Sequence, residues 1–132
     1  MSQYSKNLAH TSTRKQLGDT GEQLVITQLK SNGFSILEKN YRKRFGEVDI
    51  IAQKEAVLAF VEVKLRKKTY FTLSEVITPS KQRKIIKTAK TFILERNMYA
   101  MLYRFDVALV TYDGAEQPDI TYIENAFTDM TY

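Results

Sequence analysis

The sequence predicts an α/β domain, a central mixed β-sheet flanked by helices in the element order αβββαββ. Residues 46–66, GEVDIIAQKEAVLAFVEVKLR, carry strand-type alternation on both sides of a tight turn. Two other stretches, one closing at Asn32-Gly33 and one opening at Thr78-Pro79, carry apolar residues at helical spacing. Tyr103 to Tyr112, YRFDVALVTY, is apolar on both alternating sets, as an interior strand is. A strand reached through a crossover helix lies parallel to the one before it, by a right-handed connection, and this makes the sheet mixed.

At 132 residues the chain is long enough for one domain with its own core. Cysteine is absent, which excludes a disulfide framework, a thiol nucleophile and a cysteine zinc site and fits a reducing compartment. No run approaches the ~18 apolar residues of a membrane span, so a cytoplasmic protein without a membrane partner is expected. Residues 1–11 read as a frayed leader in which His10 is solvated, followed by a single domain over 12–132.

The first helix is expected from Ser12 or Thr13 to Ser31, with Leu17, Leu24, Val25 and Leu29 on one face. Gly18 and Gly21 inside it suggest close approach to another backbone or to a bound strand, since each costs about 1 kcal/mol relative to alanine. Phe34 to Arg42 reads as the first strand, with Tyr41 as a packing residue and a basic turn leading to Gly46. The stretch from Lys67 to Thr78 reads as a loop over the site. Thr78 caps the second helix, Pro79 opens it, and it runs to about Asn97. Its core stripe is Ile85, Ala89, Phe92, Ile93 and Arg96, with Gln82 on the same stripe near Lys64. Asp106 is expected to be structural, paired with Arg104 or a neighbouring strand end. Asp113-Gly114 turns the chain into an edge strand, Asp119 to Ile123, and the acidic tail is expected to pack away from the substrate.

The chemistry concentrates in the hairpin. Strand alternation puts Glu62 and Lys64 on one face and Val61, Val63 and Leu65 on the other. On the preceding strand it puts Val48 and Ile50 on one side and Glu47, Asp49 and Ile51 on the other. A turn centred between Glu55 and Ala56 would set Asp49 opposite Glu62 and Glu47 opposite Lys64. Two carboxylates with Cβ atoms about 5 Å apart are unfavourable unless something positive lies between them. A divalent cation meets that need, and Lys64 would stand close enough to orient a water or steady charge on a phosphate. The same spacing also fits a hairpin with a solvated charged face and an ordinary Glu-Lys pair.

Charge is unevenly spread. Residues 1–104 hold all 20 Lys and Arg against 9 acids, giving +11, whereas residues 105–132 hold six acids and no Lys or Arg, giving −6. A basic field around a polyanion-cutting site raises encounter rates and gives salt-sensitive affinity. Arg42, Lys43 and Arg44 precede the Asp49 strand, and Arg66, Lys67 and Lys68 follow Lys64. Lys81, Lys84 and Lys87 crowd the start of the second helix together with Gln82, where free backbone N–H groups would help hold an anion. These are the expected nucleic-acid contacts.

Asp49 followed thirteen residues later by Glu62-Val63-Lys64 resembles the PD-(D/E)XK signature, with Val48 where that signature has proline. The wider string is Gly18-Asp19-Thr20-Gly21-Glu22, Asn40-Tyr41-Arg42, Gly46 to Ala52, Phe60 to Lys64, and Arg104-Phe105-Asp106-Val107. Together these resemble the YraN-like family, related in pattern to archaeal Holliday junction resolvases. The resemblance implies a restriction-endonuclease-like core and a magnesium- or manganese-dependent endonuclease acting on DNA, at branched or distorted structures. On that reading Asp49, Glu62 and the carbonyl of Val63 hold the ion, Lys64 positions the attacking water, and Glu22 is an auxiliary ligand. Cutting two strands asks for two sites, and so for a homodimer. The alternatives are a nucleic-acid-binding module that keeps the fold without cutting, and an interaction domain whose basic face meets an acidic partner.

Overall fold

A computed structural model describes residues 14–67, 77–112 and 118–129. The leader with His10, Lys68, most of the segment expected to cover the site, and the Asp113-Gly114 turn lie outside the described residues. The described elements are helix α1 (Arg14–Ser31), strands β1 (Ser35–Lys43), β2 (Gly46–Lys54) and β3 (Val57–Arg66), helix α2 (Pro79–Glu95), and strands β4 (Leu102–Thr111) and β5 (Asp119–Phe127). They build one sheet in the order β1-β2-β3-β4-β5. Only β3 and β4 run parallel; the other neighbours are antiparallel. The αβββαββ order and the mixed sheet expected from the sequence are both present.

Each helix seals one face. Val25, Ile26 and Leu29 of α1 pack on Ile50, Ala59 and Val61, while Ile85, Ala89 and Phe92 of α2 pack on Leu58, Phe60 and Phe105. The α1 stripe differs from the expected one, because Ile26 is buried whereas Leu17 is exposed and Leu24 only half-buried. The helix stops where Gly33 takes φ +91° and Phe34 N–H donates to the Leu29 carbonyl at 3.0 Å. At the start of α2, Thr78 caps as expected, its hydroxyl accepting from Lys81 N–H at 3.2 Å. That helix ends at Glu95 with Arg96 as its C-cap.

The glycines divide by need. A Cβ on Gly21 would lie 2.8 Å from the Leu65 Cδ2, so α1 approaches a β3 side chain there rather than a backbone. At Gly18 the corresponding distance is 3.8 Å, an ordinary contact, and the expected close approach is not found. The tightest position is Gly46, where a Cβ would lie 2.5 Å from Thr88 Oγ1 and 2.8 Å from the Lys84 carbonyl. Only glycine lets β2 begin directly under α2.

The hairpin turn sits at Glu55-Ala56, with Lys54 opposite Val57, and Glu55 takes φ +52°. Pairing continues through Ile50 opposite Val61 and goes no further. Alternation along β2 breaks at the same place: Val48 joins the α2-side core with Ile51, whereas Ile50 and Ala52 join the α1-side core. Val48 and Ile50 therefore do not share a face, contrary to a strict period of two. Across from Asp49 on β1, Asn40 takes φ +51°, a local departure from extended backbone that accompanies the change of face. β3 keeps its alternation, with Leu58 and Phe60 toward α2 and Ala59 and Val61 toward α1.

β4 is interior and buried on both faces, as its pattern predicted. β5 is the edge strand, and it runs to Phe127 rather than Ile123 because Phe127 stacks on Phe105 at 5.1 Å. Asp106 is structural: fully buried, it accepts from Arg104 at 3.0 Å, Tyr122 Oη at 2.5 Å and Asn125 N–H at 2.9 Å. Among the described residues of the acidic tail, Asp129 pairs with Lys90 of α2 at 2.5 Å, so this part of the tail returns to the basic helix.

Candidate active site

Where β2 and β3 part, the Val63 N–H has lost its strand partner, and the Asp49 carboxylate replaces it by accepting through Oδ2 at 2.8 Å. The N–H and C=O of one strand residue leave by the same edge, so the Val63 carbonyl opens on the same seam. Glu62, one residue earlier, is 5% exposed and accepts two ammonium groups on a single oxygen, Lys64 Nζ at 3.3 Å and Lys81 Nζ at 3.5 Å. Asp49 and Glu62 line one cleft of about 420 Å³ whose rim carries Arg42, Lys43, Arg44 and Lys84. An adjoining cleft, lined by Asp19, Glu22, Glu47 and Asp49, opens toward α1.

The electrostatics of this end are those of crowded carboxylates. Burial, then the charge of Glu62, pushes Asp49 up to about 8 against the opposing hydrogen bond from Val63. Glu22 is raised as well, by burial first and then by Asp19 and Glu47, and its Oε1 is buried without a hydrogen-bond partner. Burial works to lower Lys81, but Glu62, together with Lys64 and Asp49, outweighs it and holds the ammonium above its ordinary value. The site thus binds positive charge, and it does so with oxygen atoms.

That donor set fits a hard divalent cation. Magnesium is held by one or two carboxylates together with substrate phosphates and waters, rather than by a protein cage. Among the described residues no three His, Cys, Asp or Glu side chains form a ready cage. Glu22 Oε1 supplies an unpartnered oxygen on its α1 side.

Other sequence-expected residues fall differently. Glu47 pairs with Arg42 across β1 and β2 at 2.7 Å, not with Lys64, because the β2–β3 ladder ends before reaching it. Lys43 is held by Glu95 at 2.9 Å. Tyr41 packs edge-on against Phe92, as expected, and its hydroxyl donates to Glu95. Gln82 donates to the Ile77 carbonyl at 3.2 Å and lines a separate cleft with Arg83, Lys90 and Asp129. Arg66 donates back to the Leu65 carbonyl, and Lys67 is exposed. Lys87 lies over the Phe45 ring. Backbone N–H groups contribute little at the start of α2, since Lys81 N–H goes to the Thr78 hydroxyl and Gln82 N–H to its carbonyl. Anion binding on α2 is left to side chains.

Sequence reasoning placed Lys81 among general phosphate contacts and missed its seat on Glu62. The signal was present: Lys81, Ile85, Thr88 and Phe92 repeat at helical spacing, so Lys81 extends the buried stripe by one turn. Glu22 extends the Val25, Ile26 and Leu29 stripe of α1 in the same way. Each core stripe ends on a charged residue at the same edge of the sheet.

Fold and site define an α/β domain with a carboxylate pair, Glu62 buried and Asp49 half-buried, and two lysines at the parting of two strands, under a basic rim. The chain belongs to the uncharacterised protein family UPF0102, whose profile matches residues 21–110. It is 44% identical over 119 residues to a UPF0102 protein of Geotalea daltonii, covering 89% of this chain and 93% of that one. A UPF0102 protein of Vibrio parahaemolyticus is 38% identical over 119 residues, 89% of this chain and 96% of its own. Among solved structures, the chain is similar to Hjc, a Holliday junction resolvase of Archaeoglobus fulgidus, with 18% identity and a TM-score of 0.41 over 82% of this chain and 88% of that one. That likeness is too loose to carry function.

Proposed function

We propose that this domain is a divalent-metal-dependent endonuclease acting on phosphodiester bonds of DNA, at branched or distorted structures. The observation that supports this best is Asp49 bridging the seam to Val63 while Glu62, beside it, carries Lys64 and Lys81. Asp49, Glu62 and the Val63 carbonyl would hold magnesium or manganese, with Glu22 as auxiliary. The ion, when bound, supplies charge neutralisation at a phosphate and acidifies water.

The side chains do the rest. Lys64 orients the attacking water and, with Lys81, offsets the negative charge that grows on the phosphoryl oxygens. Asp49 bridges the seam by accepting from the Val63 N–H, which fixes its carboxylate beside the Val63 backbone. Arg42, Lys43, Arg44 and Lys84 on the rim position the backbone of the substrate without reading its sequence.

One observation favours a second reading, a binding module that retains the fold without cutting: both lysines already neutralise Glu62. A nicking assay on plain duplex, single-stranded and four-way DNA with Mg²⁺ or Mn²⁺ separates the two. Asp49→Asn and Lys64→Ala lower cleavage by about 10²-fold or more while leaving DNA affinity within a few-fold. Wild-type protein that binds but never nicks establishes the binding module, and equal nicking by wild type and Lys64→Ala overturns the active-site assignment.

A further inference from the structure

Beside the carboxylate cleft lies a second one of about 420 Å³, lined by Arg44, Phe45, Ser80, Arg83, Lys84 and Lys87. Arg44, Phe45 and Lys84 line both, so they form the partition between them. The second cleft holds four cations and no carboxylate. Lys43, Lys64, Lys81 and Lys90 are each matched to an acid, but none of Arg44, Arg83, Lys84 and Lys87 has an ion-pair partner among the described residues. Folding gains nothing from such a concentration of like charge, since Arg83 and Lys84 each lie three or four residues from Lys87 on the same helix and repel it.

Phe45 is the other unusual member. It is a partly exposed aromatic in the two-residue β1–β2 turn, and the Lys87 ammonium stands 4.5 Å from its ring centroid. Tyr41, four positions earlier, is seated against Phe92 in the α2-side core, whereas the Phe45 ring is a cleft wall. An aromatic plane among unpaired cations is the combination that receives a nucleotide, the ring taking the base and the cations the phosphate. A base already paired and stacked in duplex cannot present its face to a side chain, so the ligand must be unpaired.

We propose that this cleft is a subsite for one unpaired nucleotide next to the carboxylate site, its base against Phe45 and its phosphate among Arg44, Arg83, Lys84 and Lys87. The inference rests on the nucleic-acid reading above and deepens it. It makes the substrate one with a single-stranded nucleotide beside the reacting phosphate.

Binding is read by fluorescence anisotropy in metal-free buffer, using a single-stranded oligonucleotide and a blunt duplex. Phe45→Leu weakens the single strand about tenfold and the duplex less than twofold, while Phe45→Trp keeps wild-type affinity for both. Arg83→Gln with Lys87→Gln, on the exposed face of α2, lowers the salt slope for the single strand by about 1.4, which decides the matter even if Phe45→Leu fails to fold. Equal losses on both ligands, or no loss with Phe45→Leu and no change of slope, overturn the subsite. Because the binding test reads no cleavage, it separates from the nicking assay: nicking that survives Asp49→Asn removes the active site and leaves the subsite standing. Loss of nicking in Asp49→Asn with no effect of Phe45→Leu does the reverse, and wild-type protein that binds neither ligand removes both.

Discussion

Asp49 does two jobs with one side chain. It replaces a strand acceptor for Val63 and brings a second carboxylate next to Glu62. The second has a cost that pH should reveal. Its folded value of about 8 lies above the ordinary 3.8, so between those values the folded chain keeps a proton that the unfolded chain has released. The contribution is fully present below about pH 4 and is lost as pH rises through 8. In metal-free buffer Asp49→Asn, which keeps an acceptor for Val63, is therefore expected to gain stability over wild type on the order of 5 kcal/mol at pH 8 and almost nothing near pH 4. Urea unfolding across that range measures it, and parallel curves for the two proteins would rule it out. Asp106 is the opposite case, a buried carboxylate whose partners are complete. Asp106→Ala takes the acceptor from the Tyr122 hydroxyl and the Asn125 N–H and leaves Arg104 with Glu124 alone, and a loss of about 3 to 5 kcal/mol is expected in denaturant midpoint times slope.

At the level of elements, the site exists because helix stripes overrun the core. Val25, Ile26 and Leu29 lead back to Glu22, and Ile85, Thr88 and Phe92 lead back to Lys81. The second stripe is held in place by Gly46. A methyl group there meets Thr88 and the Lys84 carbonyl, and a backbone atom cannot swing aside. Gly46→Ala is expected to cost about 1 to 3 kcal/mol and to reduce nicking as well, since α2 must lift Lys81 from Glu62. Gly18→Ala is expected to stabilise by about 0.5 to 1 kcal/mol, because its methyl finds only an ordinary contact while the helix gains propensity. Thermal unfolding of the two variants side by side decides both; a stabilised Gly46→Ala would show that α2 does not press on β2.

Across the whole molecule, charge is sorted by position. The cations of the β1–β2 turn and of α2 meet at the carboxylate end of the sheet, while Asp106, Glu124 and Arg104 form a separate set around β4 and β5. Asp129 is the acid that crosses back, to Lys90 rather than to the cleft rim. Nucleic-acid affinity is accordingly expected to fall with salt, and Lys84→Gln to reduce the slope of log affinity against log salt by about 1 whatever the sequence of the DNA. Titrations at several ionic strengths measure that slope, and an unchanged value removes Lys84 from the interface. Among the described residues no helix is long and apolar enough to cross a membrane.

Much of this was readable in the chain alone because it is local. Alternation gave β3 its faces, a proline after a threonine placed the start of α2, and the Glu55-Ala56 turn set the pairing of Ile50 with Val61. Those features depend on residues a few positions apart, so they determined the element order, the hairpin and the candidacy of Asp49, Glu62 and Lys64. What only the tertiary structure decided is where the hairpin opens. The face of Val48, the pairing of Glu47 with Arg42, the turn of Gln82 toward Ile77 and the seat of Lys81 on Glu62 all follow from that opening and from α2 pressing on Gly46. Lys81 and Glu62 come from segments far apart in the chain, and although Glu47–Arg42 and Gln82–Ile77 are only five residues apart, no local period records where two strands part or how closely two packed layers approach.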